Sequence, residues 1–206
     1  FGQDYMTVAG ESQVVRELAG VEVVLVLDIT GSMAGNNIAA LKTASTNFLN
    51  TMFGSITDKQ YLKIGIVPWS DAVNVGNYGK GLTPTGATYG TPFVDNPATD
   101  SYVTPASSIK YGTNTNDWWG CVIERDSASA LLDTPSPNWQ MYRYPKKCKT
   151  YKADHVTCKT WSPNGPPNLN CPTVSIQPMT NNQTTLQNMI NTLPTGGNTY
   201  SNLGMV

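Results

Sequence analysis

The fold is decided by the segment Val23-Val24-Leu25-Val26-Leu27-Asp28-Ile29-Thr30-Gly31-Ser32-Met33. Five consecutive aliphatic residues before a polar break predict a central β-strand over residues 21–27, covered on both faces. Asp28 then lies at the carboxyl end of that strand, the edge at which open α/β sheets bind ligands. Gly31 allows the chain to turn tightly just after it.

Asp28, Thr30 and Ser32 are candidate metal ligands because they bring one carboxylate and two hydroxyls into a single turn. Oxygen ligands of this kind suit Mg²⁺, Mn²⁺ or Ca²⁺ and do not suit Zn²⁺. The alternative interpretation is a polar turn whose side chains only cap the following helix.

The composition excludes several classes of protein. The 206 residues include 13 Lys and Arg against 14 Asp and Glu, so a net charge of −1 gives no overall attraction to nucleic acid or anionic membrane. Charged residues make up 13% of the chain, about half the usual share, and there are four cysteines. This balance is typical of secreted or cell-surface proteins with disulfides. No stretch approaches the roughly 20 apolar residues that span a bilayer, so we expect any anchor to lie upstream of Phe1.

Strands and helices alternate at both ends of the chain. Helical spacing of apolar residues from Asn37 predicts a helix ended by Gly54, and residues 61–67 form the next predicted strand, ended by Pro68. Residues 174–179 have strand character, and residues 180–181 can cap a helix that ends before Pro194. This order predicts an α/β fold with parallel neighbouring strands.

The middle of the chain, residues 71–171, differs in composition. It holds all four cysteines, ten of the 14 prolines and four of the five tryptophans. A structureless loop of this length is implausible in a compact domain, so we predict an inserted, disulfide-stapled lobe. The predicted organisation is residues 1–70 and 172–206 as the two halves of the core, with residues 71–171 inserted between them.

The sequence predicts one β-hairpin within this lobe. A turn centred on Ala153 would place Cys148 opposite Cys158 on antiparallel strands, which favours a bridge between them and leaves Cys121 to pair with Cys171. A zinc site of Cys148, His155, Cys158 and Cys171 is disfavoured because the spacings are irregular. Residues 143–159 also hold six of the 13 basic residues, and a solvated hairpin face is favoured over a docking surface.

The D-x-T-G-S-M pattern after an aliphatic strand resembles the metal-ion-dependent adhesion site of von Willebrand factor A domains. Residues 196–205, with Thr199 at the matching threonine, resemble the second metal loop of that family. The resemblance implies a Rossmann-like, mostly parallel sheet with flanking helices. It also implies a metal site for Mg²⁺, or Mn²⁺ or Ca²⁺, formed by Asp28, Thr30, Ser32 and Thr199.

Three further segments are similar to TadG-like proteins of the bacterial tight-adherence (Tad) pilus system. They are residues 66–76, the run Trp119-Gly120-Cys121-Val122, and Asn170-Cys171 before a strand. This resemblance implies a non-enzymatic, metal-dependent adhesion module in the periplasm or at the cell surface, anchored by an upstream segment. Its partners would be other pilus-system proteins or a surface protein ligand.

Von Willebrand A domains continue beyond the second metal loop, whereas this chain stops at Val206, so we expect a C-terminally incomplete domain. No fifth ligand is then assigned, and the predicted site carries one formal negative charge. An acidic residue of a partner would complete it. The alternatives are a purely structural pilus or envelope subunit with an unoccupied site, and a Mg²⁺-dependent haloacid-dehalogenase-like phosphatase with Asp28 as nucleophile. The second is disfavoured, because the lysine and the later acidic pair that such enzymes use have no candidates, so no enzymatic activity is expected.

Overall fold

The structure, a computed structural model, describes residues 20–95, 111–113, 117–123, 138–141, 146–154, 158–163 and 168–198. These residues form an α/β fold with a mixed seven-stranded sheet, a separate two-stranded sheet and two α-helices. The arrangement is compatible with a Rossmann-like fold.

The elements follow one another along the chain as β1 (Val21–Asp28), α1 (Asn36–Phe53), β2 (Leu62–Trp69), β3 (Val73–Asn74), β4 (Val94–Asp95), β5 (Cys121–Ile123), β6 (Trp139–Met141), β7 (Lys146–Tyr151), β8 (Cys158–Pro163), β9 (Gln177–Thr180) and α2 (Gln183–Thr192). The large sheet has the order β1-β2-β3-β5-β6-β4, and β9 also pairs with β2. Short 3-10 turns cover Gly31–Met33 and Gly76–Lys80.

Strands β1 and β2 are parallel over their whole length, with Val21 opposite Leu62 and Asp28 opposite Trp69. The prediction of a mostly parallel sheet is nevertheless wrong for the described strands. Strands β3 and β9 both pair with β2 in the antiparallel direction, and β5 is antiparallel to both β3 and β6. The turn between β2 and β3 is too short for the crossover that a parallel neighbour requires.

The prediction that β1 is covered on both faces is also wrong for the described residues. Among these, β1 pairs with β2 alone, and Val24 and Val26 are 49% and 36% exposed. Leu27, Val23 and Leu25 of β1 pack into a core cluster to which both helices contribute. An aliphatic run cannot show this difference, because the cover on each face comes from elements elsewhere in the chain.

The main core lies between the sheet and the two helices. Its buried apolar side chains come from β1, β2, α1 and α2 and the residues beside them: Leu27, Ile29, Leu49, Phe53, Leu62, Ile64, Ile66, Leu186, Ile190 and Leu193. The predicted first helix is confirmed, and Gly54 follows its last residue with φ of 62°, a conformation that favours glycine. The second helix is confirmed too, although its N-cap is Asn182, whose side chain accepts a hydrogen bond from the amide of Thr185 at 2.8 Å.

The expectation that Pro68 ends strand pairing is wrong, because β2 continues to Trp69. The carbonyl of Trp69 accepts a hydrogen bond from the amide of Ile29, so the bonding groups of Trp69 face β1. The backbone groups of the preceding residue, Pro68, face the opposite side of β2. On that side Pro68 lies between the part of β2 that pairs with β9 and the part that pairs with β3. The missing N–H of proline therefore removes no ladder bond there.

The described part of residues 71–171 is joined to the core sheet. Strands β3, β5, β6 and β4 extend the sheet beyond β2, and a second core cluster forms around the fully buried Trp118. The indole N–H of Trp118 donates to the carbonyl of Cys121 at 2.6 Å. The boundaries at residues 70 and 171 stay predictions, but the insertion shares its sheet with the core.

The exit of the insertion is fastened to the sheet by covalent and polar links. A disulfide joins Cys121 to Cys171, with Cα atoms 5.8 Å apart, which confirms that predicted pair. The buried Asn74 side chain donates to the carbonyl of Pro172 at 2.7 Å. The buried Asn168 side chain donates to the carbonyl of Asp117 at 2.9 Å. These links fix residues 168–172 against β3 and β5.

The predicted hairpin is present as β7 and β8, but its predicted register is wrong. Cys148 lies opposite Trp161, and Cys158 lies opposite Tyr151, because the strands are irregular and the turn is centred later than Ala153. The backbone register therefore separates the two cysteines by three positions along the strand. The bridge between Cys148 and Cys158 stays a prediction, since the structure does not describe their side chains.

Candidate metal site

The first loop of the site follows β1 directly and brings all three of its predicted ligands together. The amide of Thr30 donates to a carboxylate oxygen of Asp28 at 2.8 Å, and the Thr30 and Ser32 hydroxyl oxygens are 2.9 Å apart. Thr30 is buried, Asp28 is half-buried and Ser32 is exposed. The loop therefore gathers a carboxylate and two hydroxyls at a point that solvent reaches from one side.

The capping interpretation finds no support from the two hydroxyls of this loop, although the Asp28 carboxylate does accept the backbone amide of Thr30. The Thr30 side chain makes no capping hydrogen bond to the 3-10 turn Gly31–Met33, and the N-cap of α1 is Gly35, which has no side chain to offer. Asn37, in the first turn of α1, donates instead to the carbonyl of Ser32 at 3.2 Å and so holds the loop in place. The two hydroxyls thus have no capping role among the described residues.

The second loop, which follows α2, reaches the first loop as predicted. The amide of Gly196 donates to the carbonyl of Ile29 at 2.9 Å, and the amide of Gly31 donates to the carbonyl of Gly197 at 3.0 Å. Gly197 has φ of 77°, which favours glycine. Thr199 lies outside the described residues, so its ligand role stays a prediction. Gly197, two residues before Thr199, lies beside the first loop.

A third segment, Ser70-Asp71 at the end of β2, lies against the second loop and was not predicted to contribute. Both carboxylate oxygens of Asp71 are buried, and within the described part of the chain neither has a hydrogen-bond partner. A Cβ atom added to Gly197 would lie 3.1 Å from the Asp71 carboxylate and 3.0 Å from the Ser70 hydroxyl. The signal in the sequence was an acidic residue just after a strand predicted to be parallel to β1.

A cleft of about 230 Å³ lies beside the second loop. Its lining includes Ser70 and Ile29, residues 194–197, and residues 170–173 at the exit of the insertion. The disulfide at Cys171 therefore lies next to the loop that approaches the candidate site. The lining residues are uncharged, so the charged chemistry of this region belongs to Asp28 and Asp71.

The zinc interpretation is disfavoured further, because the disulfide with Cys121 takes up Cys171. Among the described residues, no group of three or more histidine, cysteine, aspartate or glutamate side chains could hold a metal, and His155 lies outside them. A metal at the candidate site would thus rely on hydroxyl and backbone oxygens or water besides its carboxylates.

The basic hairpin is solvent-exposed where its side chains are described. Lys149, Lys152 and Asp154 near the turn, and Lys159 on β8, are all exposed. This agrees with the predicted solvated face and leaves the docking alternative as a prediction.

Within the described ranges, no helix is both long and apolar enough to cross a membrane.

Comparisons of the chain with protein-family models, with curated proteins and with solved structures give no match.

Proposed function

We propose that this protein is a non-enzymatic, metal-dependent protein-binding module of the von Willebrand A type that belongs to a TadG-like pilus system. It would work in the periplasm or at the cell surface, held by an upstream anchor. The family part of this proposal rests on the sequence motifs. The metal-dependent part rests on the motifs and on the geometry of the loops.

The observation that carries the proposal is the 2.9 Å contact between the Thr30 and Ser32 hydroxyls beside the Asp28 carboxylate. The three side chains sit at the carboxyl end of a parallel strand, where α/β sheets bind ligands. The hydrogen bonds of Gly196 and Gly197 bring a second loop to the same point. Two loops from distant parts of the chain thus meet around one cluster of oxygen atoms.

The residues present fit a small divalent cation such as Mg²⁺ or Mn²⁺. Carboxylate, hydroxyl and water oxygens are the ligands that these ions prefer. The buried Asp71 carboxylate, which has no hydrogen-bond partner among the described residues, is a further sign that positive charge belongs here. Asp28, Thr30, Ser32 and Thr199 would hold the ion, which would supply a charged docking point for an acidic group.

The proposed binding mechanism follows from the exposure of Ser32 next to the half-buried Asp28. Asp28, Thr30 and Ser32 would leave one side of a bound cation open to solvent, and a carboxylate of the partner could bind the cation from that side. The partner is therefore a protein with an exposed Asp or Glu, such as another pilus-system component or a surface protein ligand. Binding of the partner would be lost when a chelator removes the cation.

Thermal unfolding with and without cation tests the metal site. Mg²⁺ or Mn²⁺ at about 100 times its Kd should stabilise the protein by about 2.7 kcal/mol and raise the Tm accordingly. Asp28→Ala should abolish this rise. Asp58→Ala is the matched control, because Asp58 is exposed and contacts Asn182 in another part of the fold. It should keep the full response to the cation.

The two alternatives predict different outcomes. An unchanged Tm of the wild-type protein in Mg²⁺ and Mn²⁺ would leave only the purely structural subunit. For the phosphatase alternative, hydrolysis of p-nitrophenyl phosphate with Mg²⁺ is measured for the wild-type protein and for Asp28→Asn. We expect no turnover; turnover that Asp28→Asn abolishes would replace the adhesion proposal with the enzyme.

A further inference from the structure

We propose that Asp71 is a ligand of the same cation, direct or through one bound water, and that it supplies the second negative charge of the site. This inference rests on the proposed metal site. It adds a residue that the adhesion motif does not include.

The placement of Asp71 follows from the register of the two parallel strands. Asp28 lies opposite Trp69, so Asp71 stands two residues past the partner of Asp28, just as Thr30 stands two residues past Asp28. The loop after β1 and the tight turn from β2 into β3 both begin at this edge of the sheet. The first residues after β1 and after β2 therefore enter the same space.

Gly197 links the Asp71 carboxylate to the first loop. A Cβ atom at Gly197 would be 3.1 Å from a carboxylate oxygen of Asp71, and the carbonyl of Gly197 accepts the amide of Gly31 at 3.0 Å. Gly31 lies between the predicted ligands Thr30 and Ser32. The Asp71 carboxylate and the backbone between Thr30 and Ser32 thus lie against the same short stretch of the second loop.

The surroundings of Asp71 do not satisfy its charge. Its two oxygens are buried and accept no hydrogen bond from the described residues. No lysine or arginine in the described ranges forms an ion pair with it. A buried carboxylate without a partner is strongly unfavourable, and a coordinated cation is one of the few ways to offset that cost.

A second carboxylate changes what the site can do alone. Asp28 and Asp71 together carry two negative charges, which match a divalent cation, whereas Asp28 by itself leaves one positive charge uncompensated. The number of charged ligands is a main determinant of affinity for hard cations. The site would therefore hold its cation before a partner arrives, and the acidic residue of the partner would fill the open position.

The test is titration of Mn²⁺ into chelator-treated protein, followed by the EPR signal of unbound Mn²⁺. Four proteins are compared: wild type, Asp71→Asn, Asp71→Ser and the exposed control Asp58→Asn. We expect Asp71→Asn and Asp71→Ser to weaken Mn²⁺ binding about tenfold or more. The control should bind as the wild type does. The Tm without metal is measured in parallel, and Asp71→Asn should not lower it, because the change removes a buried charge at nearly constant volume.

Each outcome supports or overturns the role of Asp71 as a ligand. Weaker binding with an unchanged or higher metal-free Tm supports Asp71 as a ligand. Wild-type affinity in both Asp71 variants overturns this inference and leaves the proposed metal site intact. Absence of Mn²⁺ binding by the wild-type protein overturns both. Loss of folding in both Asp71 variants without metal overturns the inference as well, since the carboxylate would then stabilise the metal-free fold.

Discussion

The amide of Gly31 donates a hydrogen bond to the carbonyl of Gly197 at 3.0 Å, and this bond joins the turn after β1 to the loop after α2. The two glycines are 166 positions apart in the sequence. Their contact places the end of the described chain beside Asp28 and leaves little space between the second loop and Ser70-Asp71. The geometry of the candidate site therefore depends on both glycines as well as on its oxygen ligands.

Gly197→Ala should destabilise the protein by roughly 1 to 3 kcal/mol. The backbone there has φ of 77°, and the new methyl group would lie 3.0 Å from the Ser70 hydroxyl. It should also reduce the response of the Tm to Mn²⁺, because the second loop must move away from Gly31. Gly196→Ala is the control, since a Cβ there meets no described atom within 4 Å. Equal Tm values for the two variants would contradict the close packing of this loop.

Removal of the disulfide by a Cys121→Ser, Cys171→Ser double substitution should lower the free energy of unfolding by about 4 kcal/mol on the chain-entropy estimate. The sequence separation of 50 residues makes the closed loop long, and Cys121 is fully buried. Urea denaturation of the oxidised wild type and the variant measures the difference. Peptide mapping under non-reducing conditions checks the pairing, and a Cys121–Cys148 peptide would contradict it.

Gly120→Ala should destabilise the protein by about 2 to 5 kcal/mol. Gly120 has φ of 102°, and its Cβ would lie only 2.7 Å from the Cα of Gly76. The backbone of one segment thus packs directly on the other, next to the disulfide. Gly90→Ala is the matched control, because a Cβ at Gly90 has no described atom within 4 Å. A similar loss of stability in both variants would show that close packing at Gly120 is not the cause.

The stability of the protein should fall in alkaline solution partly through Tyr78. Burial raises the pKa of its phenol above the ordinary 10.0, and the phenols of Tyr89 and Tyr111 raise it further. The folded state then keeps a proton that the unfolded state loses. Stability from this group is complete below pH 10.0 and is lost as the pH rises from there through the raised pKa.

Urea midpoints at about pH 9 and about pH 11 measure this effect. Tyr78→Phe should lose less stability between the two pH values than the wild type does. Tyr61→Phe is the control, since Tyr61 is 53% exposed, and it should lose as much as the wild type. Identical losses in all three proteins would rule out Tyr78 as a source of the pH dependence.

Local patterns in the sequence were enough to predict the strand and the helix on either side of the first loop of the candidate site. The aliphatic run before Asp28 predicted β1, and the apolar spacing ended by Gly54 predicted α1, because both patterns reflect contacts within a few residues. The pairing of Cys121 with Cys171 was also predicted. The hairpin was found but its register was not, because irregular pairing around Thr150 shifts the strands.

Other features depend on contacts between distant segments and could not be read locally. The position of β1 at the edge of the described sheet depends on which strands pair with it, and the antiparallel β9 depends on the path of the insertion. The buried carboxylate of Asp71 is the clearest case. An Asp after a strand end is ordinarily solvated, whereas the carboxylate oxygens of this one are buried and lie close to Gly197 of the second loop.

The sequence by itself determined the identity and order of the oxygen-bearing residues Asp28, Thr30 and Ser32, since their spacing is fixed by covalent geometry and a tight turn. Only the tertiary structure decided that the second loop lies against both this turn and Ser70-Asp71, because this requires the β1–β2 register and the hydrogen bonds of Gly196 and Gly197. Local chemistry sets which ligands one loop can offer. Long-range packing sets which loops share a site and how much charge they bring together.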